Sequence, residues 1–69
     1  MKLSARNILK GKVKQVIHGA VDSEITLELP GGTEVVSIIT KTSAQKLGLK
    51  EGMDAYAVIK SSEVIIAID

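Results

Sequence analysis

Three short clusters of hydrogen-bond donors occur at places where the local sequence pattern is otherwise apolar. They consist of Ser4, Ala5, Arg6 and Asn7; then Thr40, Lys41, Thr42 and Ser43; and finally Lys60, Ser61 and Ser62. No acidic residue lies within them, although Glu63 follows the third directly. Hydroxyl, guanidinium and ammonium groups donate hydrogen bonds, and the cations add charge. Such a site favours a fully deprotonated tetrahedral oxyanion over a protonated phosphate, whose own proton needs an acceptor.

Each cluster also has a purely structural interpretation. Residue type alone favours this interpretation over anion binding. Thr40 and Ser43 are suited to capping a helix, and Lys60 is suited to lying along the surface with its ammonium in water. The two serines after Lys60 are typical of a turn. Residues 4–7 are typical of an ordered N-terminal arm. His18 is expected in a loop, and Tyr56 is expected to pack within a strand.

Periodicity predicts the elements that position these clusters. Strands are predicted in NILKGKVKQVIHG, SEITLELP, TEVVSIIT, GMDAYAVIK and EVIIAID, and a short helix in TKTSAQKLGLKEG. Gly11, inside the first strand, predicts a bulge or bend. The order β-β-β-α-β-β predicts a mainly β fold: a five-stranded OB-type barrel with one short helix between strands 3 and 4.

Length and composition point to self-association. The chain has 69 residues, so we expect a single domain spanning residues 1–69. It has no cysteine and one histidine, so neither disulfides nor a structural zinc site can support its small core. The last predicted strand is apolar on both faces from Val64 to Ile68, so either it is central in the sheet or its second face packs on another subunit. The small size of the domain favours the second alternative.

Several classes of protein fit the sequence poorly. The formal net charge is +1 and Tyr56 is the only aromatic residue, whereas single-strand nucleic-acid sites need a basic groove and stacking aromatics. No apolar run reaches the roughly 20 residues of a membrane helix, and lysines interrupt any N-terminal signal, so we expect a cytoplasmic protein. No nucleophile is paired with a base, so we do not expect an enzyme.

Three segments carry a resemblance to a known family. SARNILKGKV, SIITKTSAQKLGLKEG and AVIKSSEVIIAI occur in this order over nearly the whole chain. With these motifs the sequence resembles the molbindins, the Mop family of small molybdate- and tungstate-binding proteins. It departs from many relatives at Ile8, where they have glutamine. It also departs at Ser61–Glu63, where regulator domains of the family have an aromatic or proline stretch.

The resemblance implies an OB-type homohexamer, a trimer of dimers, that binds molybdate or tungstate between subunits and needs no organic cofactor. It implies one site formed by Ser4, Arg6, Lys60 and Ser61, with backbone N–H groups from the segment that includes Ala5 and Asn7. Thr40 and Ser43 of a neighbouring subunit complete this site. A second class of site lies at three-fold axes, and we place it at His18, Gly19 and Ala20.

The leading functional hypothesis is therefore intracellular storage or buffering of molybdate or tungstate. One alternative is a sensing module that reports the oxyanion level to a protein partner. A less favoured alternative is an OB-type module that binds nucleic acid.

Overall fold

The computed structural model describes all 69 residues as a mainly β fold with one helix between the third and fourth strands, as predicted. Its elements are β1 (Asn7–His18), β2 (Asp22–Glu28), β3 (Glu34–Thr40), α1 (Lys41–Leu47), β4 (Asp54–Ile59) and a 3₁₀ turn (Ser61–Glu63). The strands form one curled antiparallel sheet in the order β3-β2-β1-β4. Strands β3 and β4 are therefore its two edges.

The long strand β1 pairs with both β2 and β4, and its irregularity is not where the sequence predicted it. The register shifts between Val13 and Gln15, so the bulge lies at Lys14 and not at Gly11. Gly11 has another role, because a Cβ built on it would lie 2.7 Å from the Glu28 carbonyl oxygen. A glycine there permits the close approach of β1 to the end of β2.

The core is small even for this chain length. Four apolar residues are buried, namely Val13, Ile25, Leu27 and Ala44, and partly buried aliphatic residues pack around them. The helix α1 contributes Ala44 and packs against β2 and β3. It ends at Gly48, whose left-handed backbone (φ 63°) suits a residue without a Cβ.

The prediction of a fifth strand is wrong for the single chain. After the 3₁₀ turn, residues 64–69 have no secondary structure, and Ile65, Ile66 and Ile68 are 92%, 82% and 94% exposed. The continuous run of apolar residues predicts a segment that favours burial, but a strand also needs a neighbour for its backbone. The segment has no such neighbour here, so the chain forms a half-barrel of four strands.

Candidate oxyanion-binding site

Pairing of β1 with β4 brings the first and third donor clusters together. Asn7 is the register partner of Ile59, and its Nδ2 donates to the Ile59 carbonyl oxygen at 3.3 Å. Lys60 follows Ile59 directly, so it lies beside the segment from Ser4 to Asn7. We call this combination of residues 4–7 with Lys60 and Ser61 the terminal cluster.

The terminal cluster offers positive charge that no carboxylate neutralises. Ser4, Arg6, Lys60 and Ser61 are exposed, while Ala5 and Asn7 are half-buried. Neither Arg6 nor Lys60 takes part in any of the four ion pairs of the chain. The Lys60 carbonyl accepts from the Glu63 N–H at 2.9 Å, which closes the 3₁₀ turn and leaves the ammonium uninvolved.

The second donor cluster lies at the start of α1, where Thr40 caps the helix as its structural interpretation predicts. The Thr40 Oγ1 accepts from the Ser43 backbone N–H at 3.1 Å and donates to the Ser43 Oγ at 2.8 Å. The Thr40 hydroxyl is thus used within the chain. The Ser43 hydroxyl keeps its own proton for an external acceptor. We call Thr40 and Ser43 the helix cluster.

The proposed second site, His18 to Ala20, lies next to this helix start. The Lys41 N–H donates to the Val21 carbonyl at 2.8 Å, and the Gly19 N–H donates to the Asp22 carbonyl at 2.7 Å. His18 Nδ1 lies 2.6 Å from the Ser23 Oγ. Ser23 is completely buried and was missed in the sequence, because a serine within an alternating strand gives no signal of its own.

The terminal and helix clusters do not meet within one chain. Asn7 is at the first residue of β1, whereas Thr40 pairs with Asp22 at the opposite end of the sheet, next to His18. A straight strand as long as β1 spans roughly 35–40 Å, and the longest dimension of the whole chain is 35 Å. A tetrahedral oxyanion is far too small to contact both clusters of the same chain.

The lysines of β1, in contrast, are neutralised by neighbouring strands. Lys12 Nζ lies 2.7 Å from Asp54 and Lys10 Nζ lies 3.8 Å from the same carboxylate. The hydrogen bond from Lys12, followed by its charge, lowers the pKa of Asp54. These pairs leave no run of uncompensated charge along β1, which does not favour a nucleic-acid groove.

Lys14, at the bulge, joins three strands through its ion pairs. Its ammonium contacts the carboxylates of Glu34 on β3 and Glu28 on β2, the latter at 3.4 Å. The hydrogen bond to Glu34, followed by that to Glu28, raises the pKa of Lys14. Lys14 therefore stabilises the sheet and is not available for an oxyanion.

The terminal and helix clusters consist of hydrogen-bond donors, a chemistry that suits an anion. No group of three or more His, Cys, Asp or Glu side chains is close enough together to hold a metal ion.

No helix of the chain has the length and hydropathy required to cross a membrane.

The sequence and the fold of this chain are similar to those of known proteins. Residues 3–66 match the model of the TOBE domain. The chain is 53% identical over 66 residues to molybdenum-pterin-binding protein 3 of Clostridium pasteurianum, covering 96% of this chain and 97% of that protein. The chain therefore belongs to the TOBE domain family and, within it, to the molybdenum-pterin-binding (Mop) proteins.

Two solved structures are also similar to this chain over nearly its whole length. MopII from Clostridium pasteurianum superposes with a TM-score of 0.92 at 46% identity, covering 97% of this chain and 100% of that one. The cytoplasmic molybdate-binding protein ModG, in a crystal form with molybdate bound, gives a TM-score of 0.91 at 57% identity. That match covers 94% of this chain and 46% of ModG.

Proposed function

We propose that this chain, acting as a single domain over residues 1–69, binds molybdate or tungstate in the cytoplasm and stores or buffers the oxyanion there. Binding occurs at sites shared between subunits of a homohexamer arranged as a trimer of dimers. The protein acts as a binder without catalysis and without an organic cofactor. This proposal agrees with ModG, a relative described as cytoplasmic and crystallised with molybdate.

The observation that carries the proposal is the separation of the two donor clusters. The terminal cluster has unpaired cations and the helix cluster has an available Ser43 hydroxyl, yet the two clusters lie at opposite ends of the sheet. In the proposed assembly, the terminal cluster of one chain lies against the helix cluster of a neighbouring chain. Ser4, Arg6, Lys60 and Ser61 of one chain then face Thr40 and Ser43 of another. The loop at His18, Gly19 and Ala20 is proposed as the second class of site.

The chemistry of the clusters sets the expected selectivity. Burying a dianion is costly unless several donors meet it, and donors held by folded subunits meet it without further ordering. Molybdate and tungstate are both larger than sulfate and carry the same charge, so donors spaced for them contact sulfate less well. Hydrogen phosphate, at neutral pH, brings a proton that a set of donors does not accept.

The test is a titration of the purified protein with molybdate, tungstate, sulfate and phosphate by isothermal calorimetry, with native mass spectrometry to count bound anions per assembly. We expect saturable uptake of the two larger anions by an oligomer. Lys60→Ala removes one charged donor, which is worth about 1.5–3 kcal/mol, so the Kd is expected to rise roughly 10- to 150-fold.

Lys46→Ala is the matched control, because Lys46 is an exposed lysine in the last turn of α1 that makes no ion pair. We expect it to bind molybdate as the unmodified protein does. The absence of uptake of either large anion by a folded oligomer would refute the proposed function. Equal weakening by both substitutions would instead refute the role of Lys60.

A further inference from the structure

His18 and Ser23 form the last cross-strand pair of the β1–β2 hairpin. The two residues are register partners, and the Gly19 N–H closes the loop between them by donating to the Asp22 carbonyl at 2.7 Å. Side chains of directly opposed residues lie on the same face of an antiparallel pair. The His18 ring therefore contacts Ser23, and its Nδ1 lies 2.6 Å from the serine Oγ.

The Ser23 hydroxyl has a single hydrogen-bond partner. Ser23 is completely buried, and only the bond with His18 involves its Oγ. If Nδ1–H donated to this oxygen, the serine proton would be left in the interior without an acceptor, which is costly. If the serine donates to Nδ1, its proton is satisfied. The burial of Ser23 therefore favours the serine as donor and Nδ1 as acceptor.

This direction of donation fixes the tautomer of His18. A neutral imidazole carries one ring proton, so an accepting Nδ1 places that proton on Nε2. Since Nδ1 faces a buried residue while His18 as a whole is exposed, Nε2–H lies on the solvent side of the ring. No carboxylate competes for the ring. His18 makes no ion pair, and the strand alternation places Asp22 and Glu24 on the other face of β2 from Ser23.

We propose that Ser23 is a positioning residue, which holds His18 as an outward Nε2–H donor to the oxyanion at the second class of site. This role rests on the proposed function, which places that site at His18, Gly19 and Ala20. An outward N–H suits an anion that only accepts hydrogen bonds, whereas the opposite tautomer would present a lone pair to it. The Ala20 N–H makes no hydrogen bond within the chain, so the same loop offers a second donor.

Nitrogen NMR tests the tautomer directly, because His18 is the only histidine of the chain. Long-range ¹H–¹⁵N correlations of the ring, recorded at pH 8 where histidine is ordinarily neutral, distinguish a protonated nitrogen from an unprotonated one. We expect a protonated Nε2 and an unprotonated Nδ1 in the unmodified protein. Ser23→Ala should move both ¹⁵N shifts toward the average of two tautomers, and Ser23→Thr, which keeps a hydroxyl, should restore the original pattern.

Molybdate binding tests the role of this donor. Calorimetry, with native mass spectrometry to count anions per assembly, separates the two classes of site. We expect Ser23→Ala to weaken the second class roughly 2- to 12-fold, the worth of one neutral hydrogen bond, and to leave the site at the terminal and helix clusters unchanged. Molybdate should also shift the Nε2 resonance of the unmodified protein.

Thr26→Val is the matched control, because Thr26 is a buried hydroxyl residue on the same strand that makes no bond to His18. We expect it to change neither the tautomer nor the affinity of the second class of site. Circular dichroism checks that each variant is folded. The spectrum of the unmodified protein decides between the tautomers by itself, so this part of the test does not depend on any variant.

A protonated Nδ1 in the unmodified protein would overturn the inference, because Ser23 would then be the acceptor. A folded Ser23→Ala protein with the original tautomer and unchanged affinity at the second class of site would overturn it too. If molybdate still binds at the terminal and helix clusters in these cases, the proposed function stands without this role of Ser23. If the unmodified protein binds neither molybdate nor tungstate, the proposed function fails, and the donor role of His18 fails with it whatever its tautomer.

Discussion

At the scale of single residues, the cations of this chain do different things according to whether a carboxylate neutralises them. Lys12 and Lys14 are held by Asp54, Glu28 and Glu34, and they join strands of the sheet. Arg6 and Lys60 have no such partner and lie together through the pairing of Asn7 with Ile59. Residue type alone does not distinguish the two groups, because the distinction depends on which strands become neighbours.

The pair between Lys12 and Asp54 predicts a specific dependence of stability on pH. The pKa of Asp54 is lowered in the folded protein, mainly by the hydrogen bond from Lys12. The unfolded chain therefore binds a proton at this carboxyl more readily than the folded one. The stabilisation is fully present above the ordinary pKa, and it is lost as the pH falls below about 4 and passes through the lowered pKa.

We therefore expect Asp54→Asn to lower the Tm modestly at neutral pH, with a difference from the unmodified protein that shrinks at acid pH. Thermal unfolding from pH 7 to pH 2 at one fixed protein concentration measures this difference. Asp22→Asn is the control, because the Asp22 side chain forms no ion pair. A Tm difference that is the same throughout this pH range would contradict the lowered pKa of Asp54 in the folded protein.

At the scale of elements, Gly11 shows how β1 depends on its close approach to the end of β2. A Cβ at this position would lie 2.7 Å from the Glu28 carbonyl oxygen and 3.1 Å from a Leu29 methyl group. Both contacts are shorter than van der Waals separation. The obstacle at Glu28 is backbone, so a side chain cannot simply rotate out of the way.

Gly11→Ala is therefore expected to destabilise the protein by about 1–3 kcal/mol, the usual cost of overpacking, despite the entropy that alanine removes from the unfolded chain. Chemical denaturation at a single protein concentration measures the change in the free energy of unfolding. Gln15→Ala, at an exposed position of the same strand, is the control and should have a small effect. A Gly11→Ala protein as stable as the parent would show that β1 and β2 separate easily.

The elements also show which features a sequence can predict. Alternation and turn residues predicted four strands and the capped helix, because each depends on neighbours close in sequence. The bulge was expected at Gly11 and lies at Lys14, since a bulge is set by pairing register with β2. The segment from Val64 to Ile68 was expected to be a strand, but its pattern indicates only a preference for burial, and a strand also requires a neighbour for its backbone.

At the scale of the whole molecule, the candidate site also depends on contacts between distant residues, which the sequence pattern alone does not give. The sequence predicted the donor residues, and strand pairing brings Asn7 beside Lys60 as one half of the proposed site. The distance to Thr40 and Ser43 follows only from the sheet topology. The single chain buries only four apolar residues and leaves three C-terminal isoleucines exposed, which is consistent with the proposed self-association.

A mixing experiment tests whether the oxyanion site is shared between chains. Lys60→Ala damages the terminal cluster, and Ser43→Ala damages the helix cluster, so every shared site in either homo-oligomer has one defect. When the two variants are refolded together, random assortment gives about one site in four with both clusters intact, provided that each site takes its clusters from different chains. We expect calorimetry of the mixture to show a fraction of tight molybdate sites that neither variant has alone.

The control mixture combines Lys60→Ala with Ser4→Ala, two changes in the same terminal cluster. Every terminal cluster is then damaged whichever chain supplies it, so we expect no tight sites to return. Recovery in the first mixture but not in the second is possible only if the terminal and helix clusters of one site belong to different chains. Equal recovery in both mixtures, or none in the first mixture despite native mass spectra of mixed oligomers, would mean that the site is not divided as proposed.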